Sequence, residues 1–307
     1  MMKFDGLTTF VAVAEAGSVS AAARRLGLAK SVVSERLSEL ERALAARLVQ
    51  RSTRKLSLTP DGEAFLVRAR TILREVAEAT AEVSERRGTL SGPLRLAGPI
   101  SFGTLHLGPA LYGFLAAHPR IPIDLDLDDR FVDASADGYD AVIRHGPVHD
   151  TRLVVKHLAS SRRVLVAAPD HLARAGTPRD IAELETACAI LYSNRETDWR
   201  FRGAGKDAVA RPQACLRVNN GILMRDAAVA GLGIALLPTF FVYRHLAEGS
   251  LRRVDIGMEA EGATLHLGYP ANRSPSAKIL ALTDWLRRAF GTPPYWEDQA
   301  GAAGAAT

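Results

Sequence analysis

Residues 18–41 read SVSAAARRLGLAKSVVSERLSELE, and the meaning of the whole N-terminal end turns on this stretch. Two helix-length runs meet at Leu26-Gly27-Leu28. Ser18 or Ser20 is placed to cap the first run, because a short hydroxyl accepts from unpaired first-turn amides. Gly27 is placed to end it, since glycine enters the left-handed region without strain. The second run is expected from about Lys30 to Arg47. Its Val33, Leu37, Leu40 and Leu44 share one face of a 3.6-residue repeat, which predicts the buried side. Ser31, Glu35, Ser38 and Arg42 fall opposite, with Lys30 and Ser34 on the flanks. Outward hydroxyls beside Lys30 and Arg36 suit close approach to bases and phosphates, and a short helix, a glycine turn and such a second helix make a helix-turn-helix. A solvated amphipathic helix would use the same residues, so the stretch alone leaves both readings open.

Its surroundings favour DNA. On the N-terminal side, Phe4, Leu7, Phe10, Val11 and Ala14 recur at helical spacing up to a stop at Gly17. On the C-terminal side, Arg42, Arg47, Arg51, Arg54 and Lys55 follow one another with no acid between them. RSTRKLSLT (51–59) reads as two short extended pieces around a basic turn, a wing able to reach phosphates or a minor groove. Residues 1–58 hold ten Lys/Arg against five Asp/Glu, which already equals the +5 formal charge of all 307 residues. A basic end on an otherwise balanced chain predicts a polyanionic partner for that end.

Thr59-Pro60 opens a long helix reaching about Arg87, with proline at a permitted first-turn position. Phe65, Ala69, Ile72, Val76, Ala79 and Val83 alternate in steps of four and three, the seam of a coiled coil, and most outer positions are charged. The seam predicts a subunit contact; the alternative is a helix lying on its own domain. Ser91-Gly92-Pro93 breaks the helix and marks a boundary. Beyond it LRLAG, IPIDLDLDD, YDAVIRHG, RRVLVAAP, AAVAGLGIALLP and TLHLGYP alternate strand and helix signals, which predicts an open α/β sheet. The final residues, 291–307, are low in complexity and expected to be a disordered tail.

Other function classes find little support. Asp5 and Glu15 interrupt any signal-peptide pattern, and no 18-residue apolar run is evident, so a cytoplasmic protein without a membrane partner is expected. The eight histidines show no HExxH spacing, and GxSxG and P-loop patterns are missing, so neither catalysis, a metal nor a cofactor is expected. Asp124 and Asp126 alternate with Ile123, Leu125 and Leu127 and read as the solvent face of a strand.

With these residues in view, the segment from Ser18 to Phe65 resembles the winged helix-turn-helix of LysR-type transcriptional regulators. The register runs through Ala21-Ala22, Leu26, Ser34, Leu40-Glu41, Leu48, Arg51, Leu58-Thr59 and Gly62. GPLRLAGP, FLAAHPRIPIDL, GYDAVIRHG, VLVAAPDHLARAGTP, AAVAGLGIALLP and LAEGSLRRV are similar to that family's effector domain, so the likeness spans roughly residues 3 to 290. Ala29 stands where the family commonly has a capping Ser, which costs about 1 kcal/mol. Lys30 replaces a common Gln, Ala45 a common Gly and Val49 a common Phe.

The resemblance implies an α/β protein overall: a winged helix-turn-helix (1–59), a linker and dimerisation helix (60–90), and a two-lobed effector-binding domain of the periplasmic-binding-protein type II kind (91–290). Lobe I is expected at about 93–162 and 267–290, and lobe II at 163–266. Ser20, Lys30, Ser31, Ser34, Glu35, Arg36, Ser38, Arg51, Thr53, Arg54 and Lys55 are the expected DNA contacts, on a near-palindromic duplex bound by a homodimer or homotetramer. A small effector, an organic acid, is expected at Ser101, Phe102, Gly103 and Thr104, where a strand end meets a helix N-terminus that favours a carboxylate. Asp129, Arg130, Phe131, Arg144 and Asn220 are expected to face the same cleft. One branch of the family carries a peroxide-sensing disulfide, but the 27-residue separation of Cys188 and Cys215 and their apolar or neutral neighbours favour buried, inert thiols. The rival reading is a ligand-binding protein or enzyme on the two-lobe fold, its N-terminal domain serving assembly.

Overall fold

A computed structural model describes residues 3–51, 56–85, 90–129, 138–148, 150–193, 198–203, 207–271 and 275–297. Thr53, Arg54, Lys55, Arg130 and Phe131 lie outside the described residues, as do the side chains of Arg51 and Val83. Two compact units divide between Pro93 and Leu94.

The first unit begins with α1 (Phe4–Ala16), α2 (Val19–Leu26) and α3 (Lys30–Leu44). Ser18 caps α2, its Oγ accepting from the Ala21 amide at 3.1 Å, and Gly27 ends the helix in the left-handed region. No side chain caps α3 at Ala29. That helix stops at Leu44, three residues short of the expected Arg47, because Ala45 turns left-handed with φ 49°. Strands β1 (Val49–Arg51) and β2 (Leu56–Leu58) pair antiparallel as the wing's two arms. Glu41 ties α3 to the wing, its Oε1 accepting from the Leu48 and Val49 amides at 2.9 and 3.2 Å. Thr59 Oγ1 accepts from Gly62 N at 2.9 Å and so starts α4 (Pro60–Glu85). Gly62 must be glycine: a Cβ there would lie 2.0 Å from the Leu48 carbonyl oxygen.

The core of this unit joins Leu7, Phe10 and Val13 to Val33, Leu37 and Leu40. Phe65 and Ala69 belong to it as well. Phe65 lies against Phe10 with ring centroids 5.5 Å apart, and Ala69 is fully buried. The expected seam is thereby split, since its first two members are used within this domain. Ile72, Val76 and Ala79 are exposed, although Leu73 beside them still packs on this core.

The second unit has two lobes. Lobe I contains β3 (Leu94–Gly98), β4 (Ile123–Leu127), β5 (Ala141–His145) and β6 (Leu153–Ser161). Between β3 and β4 runs α5 (Ile100–Phe102), a π-helical turn at Gly103–Leu107, and α6 (Gly108–Ala117). Contrary to the sequence expectation, the run Ile100–Ala117 is apolar and long enough to span a bilayer, with mean hydropathy 1.2 over 18 residues. Here Phe102, His106, Leu107, Leu111 and Phe114 are buried in the protein.

Arg162 alone separates β6 from lobe II. There the chain forms β7 (Arg163–Ala167), α7 (Pro169–Ala175), α8 (Ile181–Thr186) and β8 (Cys188–Tyr192). It continues with β9 (Trp199–Arg202), β10 (Asp207–Ala210), β11 (Gln213–Val218) and α9 (Gly221–Val229). Strand β12 (Ile234–Pro238), α10 (Thr239–Glu248), β13 (Arg252–Arg253) and β14 (Glu259–Ala260) complete the lobe. The chain then returns to lobe I as β15 (Ala263–Pro270) and α11 (Ala277–Phe290). The return begins at Ala263, four residues before the expected 267, because β15 pairs with β6 along its full length.

Strand order is β4-β3-β5-β15-β6 in lobe I and β11-β8-β12-β7-β13 in lobe II, with β10-β9-β14 as a small third sheet. In each large sheet, parallel strands sit beside antiparallel crossing strands. On one side of β4, Arg95 of β3 holds Asp126 at 3.0 Å and Asp124 at 3.8 Å, so these acids form a cross-strand ion pair.

Residues 291–297 are not a disordered tail. Trp296 is fully buried and Glu297 nearly so: the indole packs on Phe102 and Phe240, and the carboxylate pairs with Arg162 and Thr239, so both are held against both lobes. Residues 298–307 lie outside the described part.

Candidate functional site

On α3 the buried stripe turns Lys30, Ser31, Glu35 and Ser38 to solvent, with Ser34 half-buried between them. Ser38 Oγ donates to the Ser34 carbonyl at 2.9 Å, which holds its hydroxyl close to the helix. Arg42 and Arg47 are also exposed. Ser20 is half-buried in the first turn of α2. Arg36 departs from the expected strip. It stands two residues beyond Ser34, about 200° round the helix, and pairs with Asp5 of α1 at 2.9 Å. Its charge braces α1 against α3, much as Glu15 takes both Arg25 (2.7 Å) and Arg70 (3.3 Å).

In the second unit a cavity of about 250 Å³ opens at the C-terminal ends of β3, β4, β5, β8 and β12. Ligand crevices of open α/β sheets form at such strand ends, where loops and helix N-termini converge. Lobe I contributes Pro99, Ser101, Phe102, Asp128, Asp129, Arg144 and His145. Lobe II contributes Arg163, Tyr192, Asp198, Trp199, Gly221, Met224, Leu236, Leu237, Pro238, Phe240 and Phe241.

Four of the expected residues, Ser101, Phe102, Asp129 and Arg144, therefore meet at one site, and three do not. Gly103 faces Leu127, where an added Cβ would lie 2.3 Å from a methyl group. Thr104 is exposed and donates to the Ile100 carbonyl at 2.9 Å. Asn220 caps α9, its Oδ1 accepting from the Ile222 and Leu223 amides at 2.9 and 3.0 Å, and its neighbour Gly221 lines the wall instead.

The electrostatics refine the expectation further. Asp129 Oδ1 accepts from Ile100 N at 3.0 Å, so the protein's own carboxylate already occupies the start of this helix. Ser101 is buried, and its Oγ has no hydrogen-bond partner among the described residues. Burial lowers the Arg144 pKa, with Asp150 opposing, which makes an anion beside this guanidinium favourable. Asp198 is held by Arg211 through a two-pronged contact at 3.2 and 3.1 Å. The aromatic wall is continuous, with Phe240 and Phe241 centroids 4.4 Å apart and His145 edge-on to Phe240 at 5.4 Å. Tyr192, Trp199, Phe240 and Phe241 escaped the sequence reading. PTFF after the β12 run was the available signal, a second strand end feeding a helix.

The thiols also differ from expectation. Cys188 and Cys215 are both exposed, and their Sγ atoms donate to one carbonyl, Leu232 O, at 3.4 Å each. Parallel pairing of β8 with β11, irregular at Cys215, brings them together despite their sequence separation. Desolvation, then Cys188 beside it, pushes the Cys215 thiol up to about 11.

Comparison with known proteins agrees with both units. Residues 4–63 match the model of bacterial regulatory helix-turn-helix proteins of the lysR family, and residues 87–291 match the LysR substrate binding domain. An HTH-type transcriptional repressor of Pseudomonas aeruginosa (strain UCBPP-PA14) is 31% identical over 300 residues, covering 96% of this chain and 94% of the relative. The transcriptional regulator PtxR, from P. aeruginosa PAO1, is 31% identical over 297 residues, covering 96% and 95%. Among solved structures, the full-length Vibrio cholerae virulence activator AphB matches with a TM-score of 0.60 at 26% identity, covering 93% of this chain and 98% of that one. With both domain models matched in order and full-length regulators aligned along nearly its whole length, the chain belongs to the LysR family of DNA-binding transcriptional regulators.

Proposed function

We propose that Lys30, Ser31, Ser34, Glu35 and Ser38 of α3 enter the major groove of a near-palindromic duplex. Arg51, Thr53, Arg54 and Lys55 of the wing, with Ser20, hold adjoining phosphates or the minor groove. The observation that carries this reading is the exposed strip itself, which presents short hydroxyls and a lysine and no large apolar side chain. Paired subunits set two such helices at successive half-sites.

The cavity takes a small organic acid with a flat apolar body, and the protein acts in the cytoplasm. A buried Ser101 hydroxyl without a partner among the described residues and a desolvated Arg144 guanidinium favour the carboxylate, while Phe240, Phe241 and Trp199 favour the body. The ligand resets DNA binding only if it binds two lobe arrangements unequally.

The test is fluorescence anisotropy on the duplex flanking its own gene, across a salt series, with aromatic and aliphatic acids and their neutral amides. Binding is expected to fall steeply with salt, and Lys30→Ala to lower the logarithmic slope by about one. An acid is expected to shift affinity where its amide does not, and Ser101→Ala to weaken that response about tenfold. Salt-independent binding overturns the DNA reading, and equal responses to acid and amide overturn the effector class.

A further inference from the structure

The segment after α11 joins the two lobes at their hinge. Glu297 Oε1 accepts from the Arg162 amide at 2.7 Å and from Thr239 Oγ1 at 2.5 Å, while its Oε2 accepts from Arg162 Nε at 2.6 Å. Arg162 is the single residue between β6 of lobe I and β7 of lobe II, and Thr239 is the first residue of α10 in lobe II. Beside them, Trp296 Nε1 donates to the Ser160 carbonyl at 3.2 Å, on the lobe I side of the same crossing. The half-buried Arg253 side chain of β13 is close enough for Arg162 and Glu297 to act on its charge. One carboxylate therefore binds the backbone of the hinge, its side chain and the neighbouring lobe at once.

The indole extends this arrangement to the ligand cavity. Trp296 lies 6.0 Å from Phe102 of lobe I and 6.3 Å from Phe240 of lobe II, centroid to centroid, both edge-on. Phe102 and Phe240 line the cavity and touch each other at 5.3 Å. A molecule in the cavity would press on one side of a two-ring wall whose other side is Trp296.

We propose that Trp296 and Glu297 form a clasp that fixes the hinge angle of the two lobes and senses cavity occupancy through Phe102 and Phe240. The sensing half rests on the reading of the cavity as the effector site; the clasping half does not. Both are positioning residues, since neither lines the cavity. Packed cores have discrete arrangements rather than continuous ones. Displacement of the two phenylalanines therefore shifts Trp296 as a unit and strains the Glu297 contacts with Arg162 and Thr239.

Hydrogen exchange on the full chain separates the two halves. Glu297→Gln keeps the shape and removes the charge; Glu297→Ala removes both, and Trp296→Phe keeps an aromatic ring. For Glu297→Ala, exchange at 158–165 and at the start of α10 is expected to rise about tenfold, with β3 and β8 unchanged and partial rescue in Glu297→Gln. A uniform rise through lobe I, or no rise at the hinge, overturns the clasp. The acids of the anisotropy panel are then added. In the wild type they are expected to change hinge exchange, and in Trp296→Phe to bind with the hinge change reduced. An acid that protects the cavity peptides in both proteins with identical hinge exchange overturns the sensing. If no acid protects those peptides in the wild type, the effector reading fails, and the ligand-free comparison still decides the clasp.

Discussion

His106 lies on the π-helical turn, and its two nitrogens define its charge state. Nε2 faces the Phe240 carbonyl at 3.0 Å, so it must carry the proton, and Nδ1 then accepts from the Tyr295 hydroxyl at 2.5 Å. Burial lowers the ring from its ordinary value near 6.5 to about 4, with Arg244 adding a little and the Phe240 bond opposing. Partial burial correspondingly raises Tyr295 to about 12. Between pH 6.5 and 4 the unfolded chain holds the extra proton and the folded one does not. His106 therefore makes stability fall as pH drops through that window and contributes no slope above it. Denaturant unfolding at pH 7 and pH 5 should show a drop for the wild type that is visibly smaller for His106→Phe. Nothing in the sequence distinguished this histidine from the other seven. Ala29 and Ala45, by contrast, were legible. The uncapped start of α3 and the left-handed φ of 49° at its end fall at two of the four positions singled out as departures.

At the level of elements, period was the readable quantity. The stripe Val33–Leu37–Leu40–Leu44 placed the faces of α3, and only Arg36 was misjudged, because its proximity in sequence to Ser34 concealed its place on the far flank. Helix α4 shows the limit of periodicity: one unbroken 4-3-4-3 pattern is buried over its first two members and exposed over the next ones. Phe65 and Ala69 face this domain's core, while Ile72 and Val76 remain 40% and 43% exposed. A heptad records which side is apolar, not what covers it. Charges on the exposed half should therefore separate subunits without unfolding the winged domain. Ile72→Glu with Val76→Glu is expected to lower the mass seen by analytical ultracentrifugation by at least one assembly step, with helix content retained. Full assembly in the double variant would show that the seam does not join subunits.

For the whole molecule, the alternation of strand and helix signals correctly announced an α/β regulatory domain, yet the cavity was only half legible. Ser101, Phe102 and Asp129 could be named because each follows a strand within reach of a helix start, and Arg144 because it sits at the end of its strand. Their partners from lobe II lie far along the chain, and only the sheet order brings Tyr192, Trp199 and Phe241 opposite them. The cysteines repeat the lesson, since strand pairing cancels a long sequence separation. The same topology bears on how the protein is made. Lobe II is one continuous stretch, but lobe I's sheet is interrupted, and β15, which separates β5 from β6, is synthesised after lobe II. During translation, β5 and β6 accordingly wait with open hydrogen-bonding edges while a hundred or so residues of lobe II emerge and fold. A chain cut after Gly262 is expected to keep the exchange protection of β8 and β12 and to lose that of β3 and β5. The nascent regulator is thus most exposed to aggregation late in its synthesis, when most of its residues have already been made.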